Sequence, residues 1–166
     1  GSNRFELLAS EEIDVLIRTT TWTTSRDADL NADFAGINFY DGQGILVNKD
    51  AFPNATSALH LDGAKICVGI GTTTEGNIAD YFTVNGMTYE AVNSDDAATA
   101  KLQFEDGSCD AWTGDMSAMV AQKFGLDTAA VPNSAIMPEL LSKEPLAAAT
   151  RDNDDDWNDV VTWVWY

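Results

Sequence analysis

KICVGIGTTTEGNIADYF, residues 65–82, holds an apolar run from Lys65 to Ile70 that turns through Gly71-Thr72-Thr73-Thr74-Glu75 into a stretch with helical spacing. The run reads as a buried strand. From Thr74 to Asn85 the apolar residues Ile78, Tyr81 and Phe82 recur at helical intervals, and Asn85-Gly86 supplies the stop. Downstream the alternation repeats: a strand at Thr88 to Val92, a helix at Asp95 to Glu105, a strand at Cys109 to Thr113 (CDAWT), and a helix at Ser117 to Phe124. Strand and helix in regular exchange is the pattern of an α/β protein with a mainly parallel sheet.

Upstream, Arg4 to Ser10 reads as the end of a helix, and Ile13 to Ile17 (IDVLI) as a further buried parallel strand. A polar, threonine-rich loop is expected from Thr19 to Asp29, followed by strand-like segments around a Gly-rich bend in Phe34 to Val47. Ser134 to Arg151 is extended, with Pro138 and Pro145, and Asp155 to Tyr166 closes the chain as an aromatic-rich helix.

The 166 residues carry 9 Lys plus Arg against 27 Asp plus Glu, a formal charge of −18. A nucleic-acid binder neutralises phosphates with a basic face, which this composition does not offer, and an anionic membrane surface is excluded as a partner on the same ground. Hydrophobic content of 45% argues for a globular chain rather than a disordered one. No basic region precedes an apolar stretch at the start, so no signal peptide is read, and Gly1-Ser2 looks like a cloning remnant. Cys67 and Cys109 fit either one disulfide or two buried thiols. Neither has a partner at metal-ligand spacing, and His60 stands alone, so no metal site and no cofactor are expected. The acidic run Asp152 to Asp156 fails as a calcium loop, with Trp157 in the glycine position, and reads as the start of a helix.

Three positions carry candidate chemistry. Gly71 to Glu75 sits where a strand becomes a helix, which presents backbone N–H groups and the positive end of a helix dipole to an anion; ordinary capping by the threonines is the alternative. Asp115 follows the strand at Cys109 to Thr113, at a carboxyl strand end where open sheets hold ligands, and suits an ammonium group or a helix cap. Arg26 offers a guanidinium fork for a carboxylate, or a surface pair with Asp27 or Asp29. Together they suit a zwitterion such as a free α-amino acid. Charge-assisted bonds contribute about 1.5–3 kcal/mol each, so a few reach micromolar affinity, about −8 kcal/mol.

The same residues carry a family resemblance. Ile13-Asp14-Val15-Leu16, Thr19-Thr20-Thr21-Trp22-Thr23, Ser25-Arg26-Asp27 and Phe34-Ala35-Gly36 resemble the polar amino-acid family of periplasmic solute-binding proteins, in its general L-amino-acid-binding subgroup of ABC transporters. So do Tyr40-Asp41-Gly42-Gln43-Gly44, Gly71-Thr72-Thr73-Thr74-Glu75, Cys109-Asp110, Asp115 and Leu140 to Leu146 (LLSKEPL). The resemblance implies two α/β lobes that close on a ligand by hinge motion, with Ile45–Val47 and Ile136–Pro138 as approximate crossings. It implies one complete lobe at 50–133 and a first lobe at 1–49 and 134–166 that is incomplete, because the family opens with a strand, a helix and a strand before the point where this chain starts.

The ligand set implied is Arg26, Thr72 or Thr73, and Asp115, with Thr19 and Thr21 lining the first-lobe side. The family arrangement also places Cys67 and Cys109 on neighbouring strands, so a disulfide is expected in an exported protein. The implied function is amino-acid binding, without catalysis, as the periplasmic substrate-binding component of an ABC importer or a truncated relative. The membrane subunits of the transporter are the further partners. The alternative is a structural or interaction fragment of the same fold that has lost its ligand. An incomplete lobe exposes apolar surface and a sheet edge, so a homodimer that covers them is expected.

Overall fold

The structure, a computed structural model, describes residues 3–166; Gly1-Ser2, expected to be a cloning remnant, lies outside the described residues. In chain order the elements are α1 (Arg4–Ala9), α2 (Thr24–Asp29), β1 (Ala32–Asp41), β2 (Gln43–Asn48), β3 (Ala64–Gly69), α3 (Thr73–Val84) and β4 (Tyr89–Ser94). There follow α4 (Ala97–Glu105), β5 (Ala111–Asp115), α5 (Met116–Phe124), β6 (Ser134–Ile136), β7 (Glu144–Arg151) and α6 (Asp155–Trp165). No helix among the described residues is long and apolar enough to cross a membrane.

The chain divides into two compact units: one runs up to Asp41 and resumes at Glu144–Tyr166, and the other is Gly42–Lys143. The second unit is built on a five-stranded sheet in the order β4-β3-β5-β2-β6. β3 is parallel to both β4 and β5, whereas β2 is antiparallel to β5 and β6. The three strands expected to be mutually parallel are so, but the sheet as a whole is mixed rather than mainly parallel. The reason lies in β2 alone, which runs against both of its neighbours; β6, reached from β5 through α5, has the direction of β3, β4 and β5.

Both faces of this sheet are covered, which is why its strands read as unbroken apolar runs. On one face Ile45, Val47, Ile66, Val68 and Ala111 pack with Ile78 and Phe82 of α3. On the other, Leu46, Cys67 and Trp112 pack with Ala100 and Phe104 of α4 and Met119 of α5. Gly44 and Gly114 are paired in register, and Met116 and Met119 of α5 lie 2.9 Å from where their Cβ atoms would stand, so the absence of side chains lets α5 settle onto the sheet directly after Asp115. Cys67 on β3 and Cys109, just before β5, form the expected disulfide with Cα atoms 5.7 Å apart.

The first unit holds β1 and β7 as an antiparallel pair, with Leu8, Leu16, Phe34 and Ala149 in one small core and Val161 of α6 in another. Ile13 to Ile17 is not a strand. Leu16 alone makes an isolated antiparallel bridge, to Ala149, and Ile17 is 54% exposed. Leu16 is the one fully buried residue of that run, with Ile13 and Val15 partly buried against the two small cores. The loop at Thr19 to Asp29 contains α2, started by the Thr23 hydroxyl accepting from the Arg26 amide. The chain passes between units at Asp41/Gly42 and Lys143/Glu144, not at Ile45–Val47 and Ile136–Pro138, and the units accordingly divide there rather than at 49/50 and 133/134. Ile45 and Val47 are buried in the second unit's core, and Ile136 pairs with Leu46.

Candidate ligand-binding site

The candidate residues fall three to each unit, with Thr19, Thr21 and Arg26 in the first and Thr72, Thr73 and Asp115 in the second. In the first unit Arg26 is held on α2 and is 7% exposed. Its Nη1 donates to the Thr21 carbonyl at 2.8 Å, and its guanidinium stands 5.4 Å from the centre of the Phe5 ring. Asp27 and Asp29 are exposed, so burial sets Arg26 apart from the surface pair considered for it. Thr21 is buried and donates its hydroxyl to the buried carboxylate of Glu144. Thr19 is exposed, and its carbonyl accepts from Arg4. Glu144 was visible only as part of a motif; its burial at the start of β7 depends on a contact with Thr21, which lies 123 residues away.

In the second unit the parallel strands β3 and β5 end at the same edge of the sheet. β3 leads through Gly71 to Thr72, the N-cap of α3. The Thr72 hydroxyl donates to the Gly69 carbonyl at 2.7 Å and accepts from the Glu75 amide at 3.2 Å, while the Glu75 carboxylate accepts from the Gly71 amide at 2.8 Å. Capping therefore occupies the place considered for an anion: the Thr72 hydroxyl organises the turn, and the amides at the start of the helix carry its positive end. Thr73 is the first residue of α3 and is half-buried.

Asp115 ends β5 and occupies the N-cap position of α5, yet its side chain makes no cap hydrogen bond there. The helix-cap reading of Asp115 therefore has no hydrogen bond behind it at α5. The residue opposite Asp115 in the β2–β5 ladder is Gln43, which is fully buried. Its amide Nε2 donates to the Thr74 carbonyl at 3.0 Å and to Thr113 Oγ1 at 2.9 Å. Gln43 thus joins the first turn of α3 to β5, two residues before Asp115. Sequence reasoning passed over it, and the one available signal is a polar residue heading the otherwise apolar file Gln43, Ile45, Val47.

No protein-family model matches the chain. The chain is 48% identical over its whole length to the glutamate/glutamine/aspartate/asparagine-binding protein BztA of Rhodobacter capsulatus, covering 48% of that relative. It is 44% identical to the general L-amino acid-binding periplasmic protein AapJ of Rhizobium johnstonii, again over 100% of the chain and 48% of the relative. Among solved structures it is similar to a periplasmic binding protein of an ABC transporter from Brucella ovis with glutathione bound, at a TM-score of 0.90 and 48% identity, over 97% of this chain and 50% of that one. An ancestral arginine-binding protein bound to arginine is similar at a TM-score of 0.80 and 26% identity, over 98% of this chain and 68% of that one. The chain spans about half the length of the curated relatives it matches.

Proposed function

We propose, on the premise that this chain belongs to the family of periplasmic solute-binding proteins for amino acids, that it binds a free α-amino acid as the substrate-binding part of an ABC importer and catalyses no reaction. The ligand carboxylate is met by the Arg26 guanidinium and by the amides of Thr72 and Thr73, and its ammonium by Asp115. Thr19 and Thr21 line the first unit's side. The observation that carries this reading lies within the second unit: the start of α3, a positive helix end, and the carboxylate of Asp115 share the carboxyl edge of one sheet. Opposite charges spaced along one edge match the two ends of a zwitterion. The names of the relatives support a periplasmic location, and we propose docking to the membrane subunits of the transporter.

Calorimetric titration with each of the twenty amino acids tests the reading. Micromolar binding that is lost in Arg26→Ala and in Asp115→Ala supports it. Silence across the panel from folded protein overturns it in favour of an interaction fragment that has lost its ligand.

The finer assembly we propose is a homodimer through the first unit. There Phe39, Tyr40, Trp163, Val164 and Tyr166 are exposed at 52%, 78%, 74%, 77% and 88%. A second copy is the occupant, because burying apolar surface contributes about 25 cal/mol per Å² and a standard interface buries about 1,600 Å². A mass of 17.9 kDa by light scattering at every concentration overturns the dimer.

A further inference from the structure

We infer that Gln43 is a positioning residue that sets the spacing between the anion-binding start of α3 and Asp115; the inference rests on the amino-acid-binding reading and deepens it. Gln43 is 0% exposed, and both hydrogens of its amide nitrogen are committed, one to the Thr74 carbonyl and one to Thr113 Oγ1. The orientation of the amide follows from its partners. The Thr74 carbonyl only accepts, and the Thr113 hydroxyl already donates to the Gly44 carbonyl at 2.8 Å. The nitrogen must face them. The consequence is that Gln43 Oε1 is buried without a hydrogen-bond partner among the described residues.

A buried orphan acceptor costs free energy, and an apolar side chain of the same length would avoid that cost. What the glutamine adds is a crosslink that no apolar residue supplies. One bond holds the backbone of the second residue of α3, beside Thr72 and Thr73, and the other holds β5 two residues before Asp115. Residues directly opposite in an antiparallel ladder share a face, so Gln43 and Asp115 point to the same side of the sheet as Thr113. The Thr74 hydroxyl extends the link, lying 2.8 Å from the Thr72 hydroxyl. The helix end and the carboxylate are thereby held at one separation before any ligand arrives, and a ligand with two charged groups a fixed distance apart benefits from such preorganisation.

The test combines amide hydrogen exchange with calorimetry on Gln43→Met, Thr113→Val and Thr113→Ser. Gln43→Met is expected to speed exchange at Thr73, Thr74 and Glu75 about tenfold relative to the β4 amides, and to weaken amino-acid binding about tenfold. Thr113→Val reproduces both effects, Thr113→Ser restores them by keeping the hydroxyl, and the Gln43→Met/Thr113→Val pair is no worse than Gln43→Met alone. Unchanged exchange at the start of α3 in Gln43→Met overturns the positioning role, whatever the calorimetry reads. So does a uniform rise in exchange over α3 and β4 alike. If Gln43→Met does not fold, the contrast between Thr113→Val and Thr113→Ser decides. Silence of the wild-type protein toward all twenty amino acids overturns the binding reading instead, and the exchange comparison then still reports whether Gln43 holds α3 to β5.

Discussion

Opening the Cys67–Cys109 disulfide is expected to lower stability by about 4 kcal/mol. The bond joins residues 42 apart in sequence, and the loop-entropy relation for a closure of that length gives about 13 cal/mol/K, hence about 4 kcal/mol at 25 °C. With an unfolding entropy of about 2.1 cal/mol/K per residue over 166 residues, the melting temperature falls by about 11 °C if the whole chain unfolds together. Two perturbations separate the contributions. Reducing the wild-type protein keeps both sulfurs in the core, where Cys67 and Cys109 are 0% and 1% exposed, so its loss reports the crosslink alone. The paired Cys67→Ala/Cys109→Ala variant also loses packing on the face shared with Leu46, Phe104 and Trp112, and is expected to be the less stable of the two. The assay is urea unfolding followed by tryptophan fluorescence, where the reduced protein should also show a steeper denaturant dependence because its unfolded chain is less compact. A loss below about 1 kcal/mol on reduction would refute the reasoning, as would two titratable thiols per unfolded, unreduced chain.

Asp33→Asn is expected to stabilise the protein at neutral pH. Burial first, and then the charges of Asp27, Asp152 and Asp155, raise the Asp33 carboxyl above its ordinary 3.8. The folded chain therefore holds that proton more tightly than the unfolded chain, and the wild type loses stability as pH rises from 3.8 through the raised value. Thermal melts of the two proteins should diverge above that window and converge below pH 3.8. Added salt should shrink the difference by screening the three neighbours, though not the burial contribution. Gly42→Ala is expected to destabilise by about 1–3 kcal/mol, because its Cβ would stand 2.9 Å from the Ser142 carbonyl oxygen and 2.9 Å from Leu140 Cδ2, and backbone cannot give way as a side chain can. Denaturant midpoints check it, and a variant as stable as wild type would show that the crossing at Asp41/Gly42 is looser than drawn. Thr72→Val should cost about 1 kcal/mol through loss of the α3 cap, with helix content by circular dichroism otherwise retained; an unchanged midpoint would remove the cap from the account.

The α/β character of residues 65–124 was legible because each element there carries its own signal. Ile66, Cys67 and Val68 are buried on both faces of the sheet and form one apolar run, while Ile78 and Phe82 place a single stripe of α3 against it. Thr72, Asp115 and Arg26 became candidates from local chemistry. Ile13 to Ile17 misled because an apolar run says nothing about whether a neighbouring strand exists to pair with it; Leu16 alone makes a bridge, and it meets Ala149, 133 residues further along the chain.

By itself, then, the sequence determined the order of strands and helices in the second unit, the acidic character, and the residue types suited to a zwitterion. These follow from near-neighbour periodicity and composition. Tertiary structure alone decided that the sheet is mixed, that the units divide at Asp41/Gly42 and Lys143/Glu144, and that the Thr72 hydroxyl is spent on a cap while the Asp115 carboxylate is not. It alone also brought Gln43 between α3 and β5, across separations of 31 and 70 residues. The physical reason is common to all of these. Strand direction, burial of a polar amide and whether a side chain caps a helix are set by which distant backbone groups arrive beside a residue, and local propensity carries no record of them.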